Sequence, residues 1–130
     1  MRPRRRESAD EFKLEALGGG RFRISGAMTF ATVTAILESS KELFGETALI
    51  KLDLSGVVRG DSAGLALLLE WINWSTAYGR EIRYFGIPAQ ILAIARISEV
   101  EELLRAGERL DRATTQSAGT ASAQQGESPQ

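Results

Sequence analysis

The chain has no cysteine and no histidine in its 130 residues. The first absence removes disulfide frameworks, thiolate metal sites and cysteine nucleophiles. The second removes Ser-His-Asp triads and every histidine-ligated zinc or iron centre. Acid–base chemistry is left to carboxylates, lysines and arginines. No apolar run approaches the roughly 18 to 20 residues of a membrane span. The formal net charge is -1, so no global basic field points to nucleic acid, and none is expected as a partner. The basic start, Met1-Arg2-Pro3-Arg4-Arg5-Arg6, lacks the apolar stretch a signal peptide needs, because Glu7, Asp10 and Glu11 follow. These absences fit a cytoplasmic domain that needs no cofactor and no metal.

What remains is ordinary for a globular protein, at 43% hydrophobic and 25% charged residues. Residues 1–10 are polar and basic and read as a disordered arm, with a weak contact to anionic lipid as a second use. From Ala113 onward the chain holds Ala, Thr, Gln, Ser, Gly, Glu and Pro with no bulky apolar side chain, and 111–130 reads as a disordered tail. One domain is expected between them, over 11–110.

Within that span the period of the apolar residues changes several times. Phe12, Leu14 and Ala16 alternate with Lys13 and Glu15. Gly18-Gly19-Gly20 makes a turn, and Phe22 and Ile24 alternate with Arg21 and Arg23, so the pair reads as a β-hairpin. A helix follows, capped at Thr29 or Thr32 and ending at Gly45, with Phe30, Val33, Ile36, Leu37 and Phe44 as its apolar stripe. Ala48 to Leu54 reads as a third strand, Ser62 to Tyr78 as a second helix and Glu81 to Phe85 as a fourth strand. A third helix runs over 89–97, and Ser98 to Glu101 matches a capping box for a last short helix ending near Gly107. The predicted fold is α/β: a single domain with a four-stranded mixed sheet, helices mainly on one face, and the order β-β-α-β-α-β-α-α.

The stretch with the most to offer is Val58-Arg59-Gly60-Asp61-Ser62-Ala63-Gly64-Leu65, where a strand turns into a helix. Asp61 or Ser62 is placed to cap that helix, and Gly60 and Gly64 allow a tight turn and close packing. A hydroxyl at a helix N-terminus also serves as a phosphoacceptor or as a polar anchor for a partner. The segment is not a P-loop, because it lacks the Gly-Lys-Ser/Thr ending. On a helical wheel, Leu65, Leu68, Leu69 and Ile72 form a core stripe. Leu67, Trp71, Trp74 and Tyr78 form a second stripe pointing away from it. Trp71 lies at the edge of the core face, whereas Leu67 and Trp74 lie nearly opposite it. A tryptophan buries about 150 to 250 Å²; flanking helices are placed to cover Trp71, and a protein partner is favoured for Leu67 and Trp74.

Leu52-Asp53-Leu54-Ser55-Gly56-Val57, followed by Asp61-Ser62-Ala63-Gly64-Leu65, resembles the signature of STAS domains over about 12–107. Gly64 to Trp71 and Ile87 to Arg96 resemble one branch in particular, the STAS subunits of Mla-type phospholipid-transport ABC systems of Gram-negative bacteria. The resemblance implies a non-catalytic subunit that binds the transporter's ATPase subunit directly. It would meet the permease and substrate-binding subunits only through the complex, at the cytoplasmic face of the inner membrane, in the service of outer-membrane lipid asymmetry. The family's key hydroxyl falls on Ser62, and the expected partner interface is Arg59, Asp61, Ser62, Leu67, Trp71 and Trp74. The alternative is an anti-sigma-factor antagonist switched by phosphorylation of Ser62; such proteins usually carry a second serine where this chain has Ala63. An enzyme using Asp53 and Asp61 has no recognisable cofactor loop in its support.

Overall fold

A computed structural model of the chain describes residues 11–106. The basic arm at 1–10, the tail at 111–130 and the helix end near Gly107 lie outside the described residues. Four strands, β1 (Phe12–Gly18), β2 (Arg21–Met28), β3 (Leu49–Gly60) and β4 (Glu81–Phe85), form one sheet in the order β1-β2-β3-β4. The hairpin pair β1/β2 is antiparallel, and β2/β3 and β3/β4 are parallel. The two parallel pairs are joined through helices α1 (Val33–Phe44) and α2 (Ser62–Ala77). Helix α3 (Ala89–Ile97) follows β4, and a last helix, α4, covers 101–106. The sheet is therefore mixed, and the order of elements is the predicted one.

One face of the sheet makes the core. Phe22 and Ile24, Ile50, Leu52 and Leu54, and Ile82 and Tyr84 are buried against Ile36 and Phe44 of α1, Leu65, Leu68 and Trp71 of α2, and Ile91 of α3. The other face carries Arg21, Arg23, Lys51 and Asp53 around a shallow depression. Strand alternation alone produces this division.

Strands β2 and β3 run further than the alternation suggests. The predicted strand ended at Leu54, because Ser55-Gly56 interrupts the pattern. In the structure Arg23 pairs with Asp53 and Ser25 with Gly56, so β3 takes one extra residue and bulges. The bulge restores the phase: Leu52, Leu54 and Val57 are all buried, although the last two are three residues apart. Gly56 makes this possible, since a Cβ there would lie 2.8 Å from Ser25 Cβ.

Helix α1 starts at the second of the two expected caps, with Thr32 as N-cap and Val33 first in the helix, but the Thr32 side chain makes no cap bond, because its Oγ1 donates to Ala27 O at 2.8 Å and accepts from Thr29 N at 2.9 Å. Those bonds hold residues 29–32 as a turn, so Phe30 falls outside the helix and is 84% exposed instead of joining its apolar stripe. The expected capping box at Ser98 does not form. Ser98 ends α3, and Glu101 instead pairs with Arg96 and Arg105.

Candidate functional site

The site is built where β3 passes into α2. Asp61 is the N-cap: its Oδ1 accepts from Ala63 N at 2.9 Å and from Gly64 N at 3.3 Å, satisfying two first-turn donors. Its Oδ2 turns the other way and accepts from Phe30 N at 3.2 Å. One carboxylate thus fixes the helix start and the β2–α1 turn together. From the far side, Gln90 Oε1 accepts from Gly60 N at 2.8 Å and ties α3 to the same junction.

Gly64 fixes how close this junction packs. A Cβ there would stand 2.4 Å from Met28 O and 3.2 Å from Ile91 Cδ1. At Gly60 a Cβ would stand 2.7 Å from the Ile91 side chain. Only hydrogen fits at these two places, so α2 starts directly against β2 and α3.

Ser62 is the first residue of α2 and is exposed, and its hydroxyl has no hydrogen-bond partner among the described residues. Asp61, not Ser62, makes the cap bonds. Arg59 is exposed at the end of β3, opposite Ala27 in register.

From this junction a groove runs between α1 and α2. Its first part, about 420 Å³, is lined by Phe30, Val33, Leu37, Ala63, Ala66 and Leu67 among others, with Glu70 at the rim. Its second part, about 70 Å³, shares Leu37 and Glu70 with the first and ends at Phe44 and Trp74. The lining is mainly apolar, and both parts are open to solvent.

The outward stripe expected on α2 needs correction. Leu67 is 4% exposed and Trp71 is 1% exposed, so both belong to the core, although Leu67 still forms part of the groove wall. Trp71 packs edge-on to Phe44 at 5.7 Å and donates its indole N–H to Ser40 Oγ at 2.9 Å across the α1/α2 contact. Trp74 is half-buried, between Phe44 at 6.1 Å and Tyr78 at 5.9 Å, with the Arg80 guanidinium 5.0 Å from its ring. Of the stripe, only Tyr78 stands well out, at 65% exposure. The physical reason is that α2 is covered on two sides, by the sheet and by α1, and its apolar residues run almost all the way round.

Of the expected interface residues, the structure brings Asp61 and Ser62 together at one end of the groove and leaves Trp74 at the other. Phe30 was missed as a surface residue. The signal for it lay in Thr29 and Thr32, whose hydroxyls compete with the helix for backbone partners. Among the described residues no helix is long and apolar enough to cross a membrane, and no three carboxylates gather to hold a metal ion.

Comparison with known proteins fits this geometry. A family model described as "Mlab, STAS domain" matches residues 15–105. The chain belongs to the MlaB-like STAS family. No curated protein matches the chain. Among solved structures, the anti-sigma factor antagonist SpoIIAA in its unphosphorylated form superposes with a TM-score of 0.60 at 17% identity, over 81% of this chain and 97% of that one. The structure of SLC26A9 superposes with a TM-score of 0.53 at 17% identity, over 64% of this chain and 16% of that much longer one. At such identities the likeness is one of fold. STAS domains are generally non-catalytic regulatory or interaction modules, and the fold is shared by anti-sigma-factor antagonists and by transporter domains.

Proposed function

We propose that this STAS domain is the non-catalytic subunit that docks on the ATPase of an inner-membrane ABC transporter for phospholipid. It supports that ATPase, and works at the cytoplasmic face of the membrane only through the complex. The observation that carries the reading is an unengaged hydroxyl, Ser62, at the start of α2, next in sequence to Ala63 of an apolar groove that the exposed Phe30 also lines. Aromatic side chains are enriched at protein interfaces, and an exposed phenyl ring on an apolar groove offers a partner a place to dock. The match to the MlaB-like branch supports an ATPase as the partner. Arg59, Asp61, Ser62, Phe30 and the Trp74 end of the groove form the docking face, and Leu67 and Trp71 support it from within.

Co-purification with the cognate ATPase tests this. The wild-type domain is retained by the tagged ATPase. Ser62→Asp places a charge next to Asp61 and is lost from the complex while remaining folded. Equal retention of both proteins contradicts the assignment.

A second reading, an anti-sigma-factor antagonist, is favoured by the superposition on SpoIIAA and by the exposed Ser62 hydroxyl. It requires that a cognate serine kinase phosphorylate Ser62 and that the phosphate release an anti-sigma factor.

A further inference from the structure

The face of the sheet that no helix covers among the described residues has a character of its own. Its depression, about 420 Å³, is lined by three cations, Arg21, Arg23 and Lys51, and one carboxylate, Asp53. That carboxylate is engaged by Ser55 N at 2.9 Å through Oδ1 and by Arg23 Nε at 3.4 Å through Oδ2. Register places Arg21 beside Lys51 and Lys51 beside Arg83, one cation on each of three neighbouring strands. Adjacent strands lie about 4.8 Å apart, so the row spans roughly 10 Å. Glu81 pairs with Arg83 at 2.9 Å at the β4 end of the row, and on the β1 side Glu15, paired with Lys13 at 4.0 Å, stands opposite Arg23. Three apolar residues, Leu17, Phe22 and Phe85, complete the lining.

This concentration of positive charge occurs in a chain whose net charge is -1. Folding alone produces it, by alternating Arg21, Arg23, Lys51 and Arg83 to the face that the helices do not cover. Packing does not call for it, since this face contributes little to the core. The depression is of the size of small-ligand sites. Its cations include guanidinium groups, whose planar donors match phosphate oxygens. Concavity favours a compact anion over a flat surface, and Leu17 and Phe85 provide contact for a short apolar portion.

We propose that the open sheet face, at Arg21 and Lys51, binds a phosphate-bearing anion, free in solution or as the headgroup of a lipid. The site lies on the face of the sheet opposite the helices and is independent of the docking groove. Its occupancy does not require the ATPase reading to hold.

The test uses the full chain. Pyrophosphate is titrated calorimetrically, and co-sedimentation is measured with phosphatidylcholine vesicles with and without phosphatidic acid. The wild type binds pyrophosphate, the phosphatidic acid vesicles, or both; pyrophosphate alone identifies a soluble anion, and vesicles alone a lipid headgroup. Arg21→Gln, at a fully surface position, and Lys51→Gln each weaken that binding by about tenfold or more, as the loss of a charged hydrogen bond requires. Lys41→Gln, which removes the same charge from the helix side, leaves it unchanged. Absence of binding to either probe overturns the proposal. So does an equal loss in all three variants, since general charge attraction would then account for it.

Discussion

Asp61 Oδ2 accepts the backbone N–H of Phe30 while Asp61 Oδ1 caps α2, so one carboxylate ties the Phe30 backbone to the helix start that carries Ser62. The two roles separate by substitution. Asp61→Ala removes both and lowers stability by about 1 kcal/mol, the usual worth of an N-cap. Asp61→Asn keeps an oxygen for Ala63 and Gly64 but turns an amide N–H₂ toward the Phe30 N–H. Its midpoint in urea stays near wild type, while its affinity for the ATPase falls. If Asp61→Asn loses stability as Asp61→Ala does and binds normally, the Phe30 bond has no part in docking.

Gly64 is the position least tolerant of a side chain at the junction. Gly64→Ala drives a methyl into a backbone carbonyl, Met28 O, which cannot swing aside. The expected loss is about 1 to 3 kcal/mol, in the range of overpacked cores, read from chemical denaturation. At Gly79 the space is open but φ is +69°, so Gly79→Ala destabilises through backbone strain instead, by about 1 kcal/mol.

The Trp71–Ser40 bond joins α1 to α2 inside the core. Ser40→Ala leaves a buried indole N–H without an acceptor, at a cost of about 1 to 3 kcal/mol, with an unchanged denaturant slope. Ser40→Thr keeps the oxygen and retains more of the stability than alanine does. Equal stability of Ser40→Ala and wild type would mean that the indole finds another acceptor.

The surface pair Arg23–Asp53 gives a pH signature. Partial burial raises the Asp53 pKa, but the hydrogen bonds from Ser55 and the Arg23 guanidinium outweigh it and hold the carboxyl below its usual range. A folded-state pKa below the unfolded one stabilises the fold above the unfolded value, about 3.9 for an aspartate. That contribution is lost as pH falls through the folded value. Arg23→Gln therefore lowers stability at neutral pH, and the gap to wild type closes in acid. Urea midpoints measured across this range check it, and a gap that widens toward low pH would contradict the assignment.

Much of the fold can be read from residue types. The hairpin follows from Phe12, Leu14, Phe22 and Ile24 on either side of three glycines, and the order of elements follows from the changes of period. The junction was also legible, because Asp61 stands between an apolar strand and an apolar helix with glycines at close-packing positions. The face of α2 was not. Leu65, Leu67, Leu68, Leu69, Trp71, Ile72 and Trp74 leave no decisive polar side, so the inward face depends on where α1 lands, and it lands on Leu67 and Trp71. Phe30 escaped for the opposite reason. It fits a helical stripe by spacing, and only the local bonding of Thr32 removes it. The extension of β3 to Gly60 was hidden by its bulge, which breaks the period that reveals a strand.

In the proposed function, Phe30 and Ser62 form one contact surface for the transporter ATPase. The most direct measurement is the dissociation constant of the full chain for that ATPase, for wild type, Phe30→Ala and Ser62→Asp, with circular dichroism on each. Unchanged folding is expected, with a loss of about 2 kcal/mol or more for Phe30→Ala, the scale of an interface hot spot, and a comparable loss for Ser62→Asp. Wild-type affinity in both variants would contradict it.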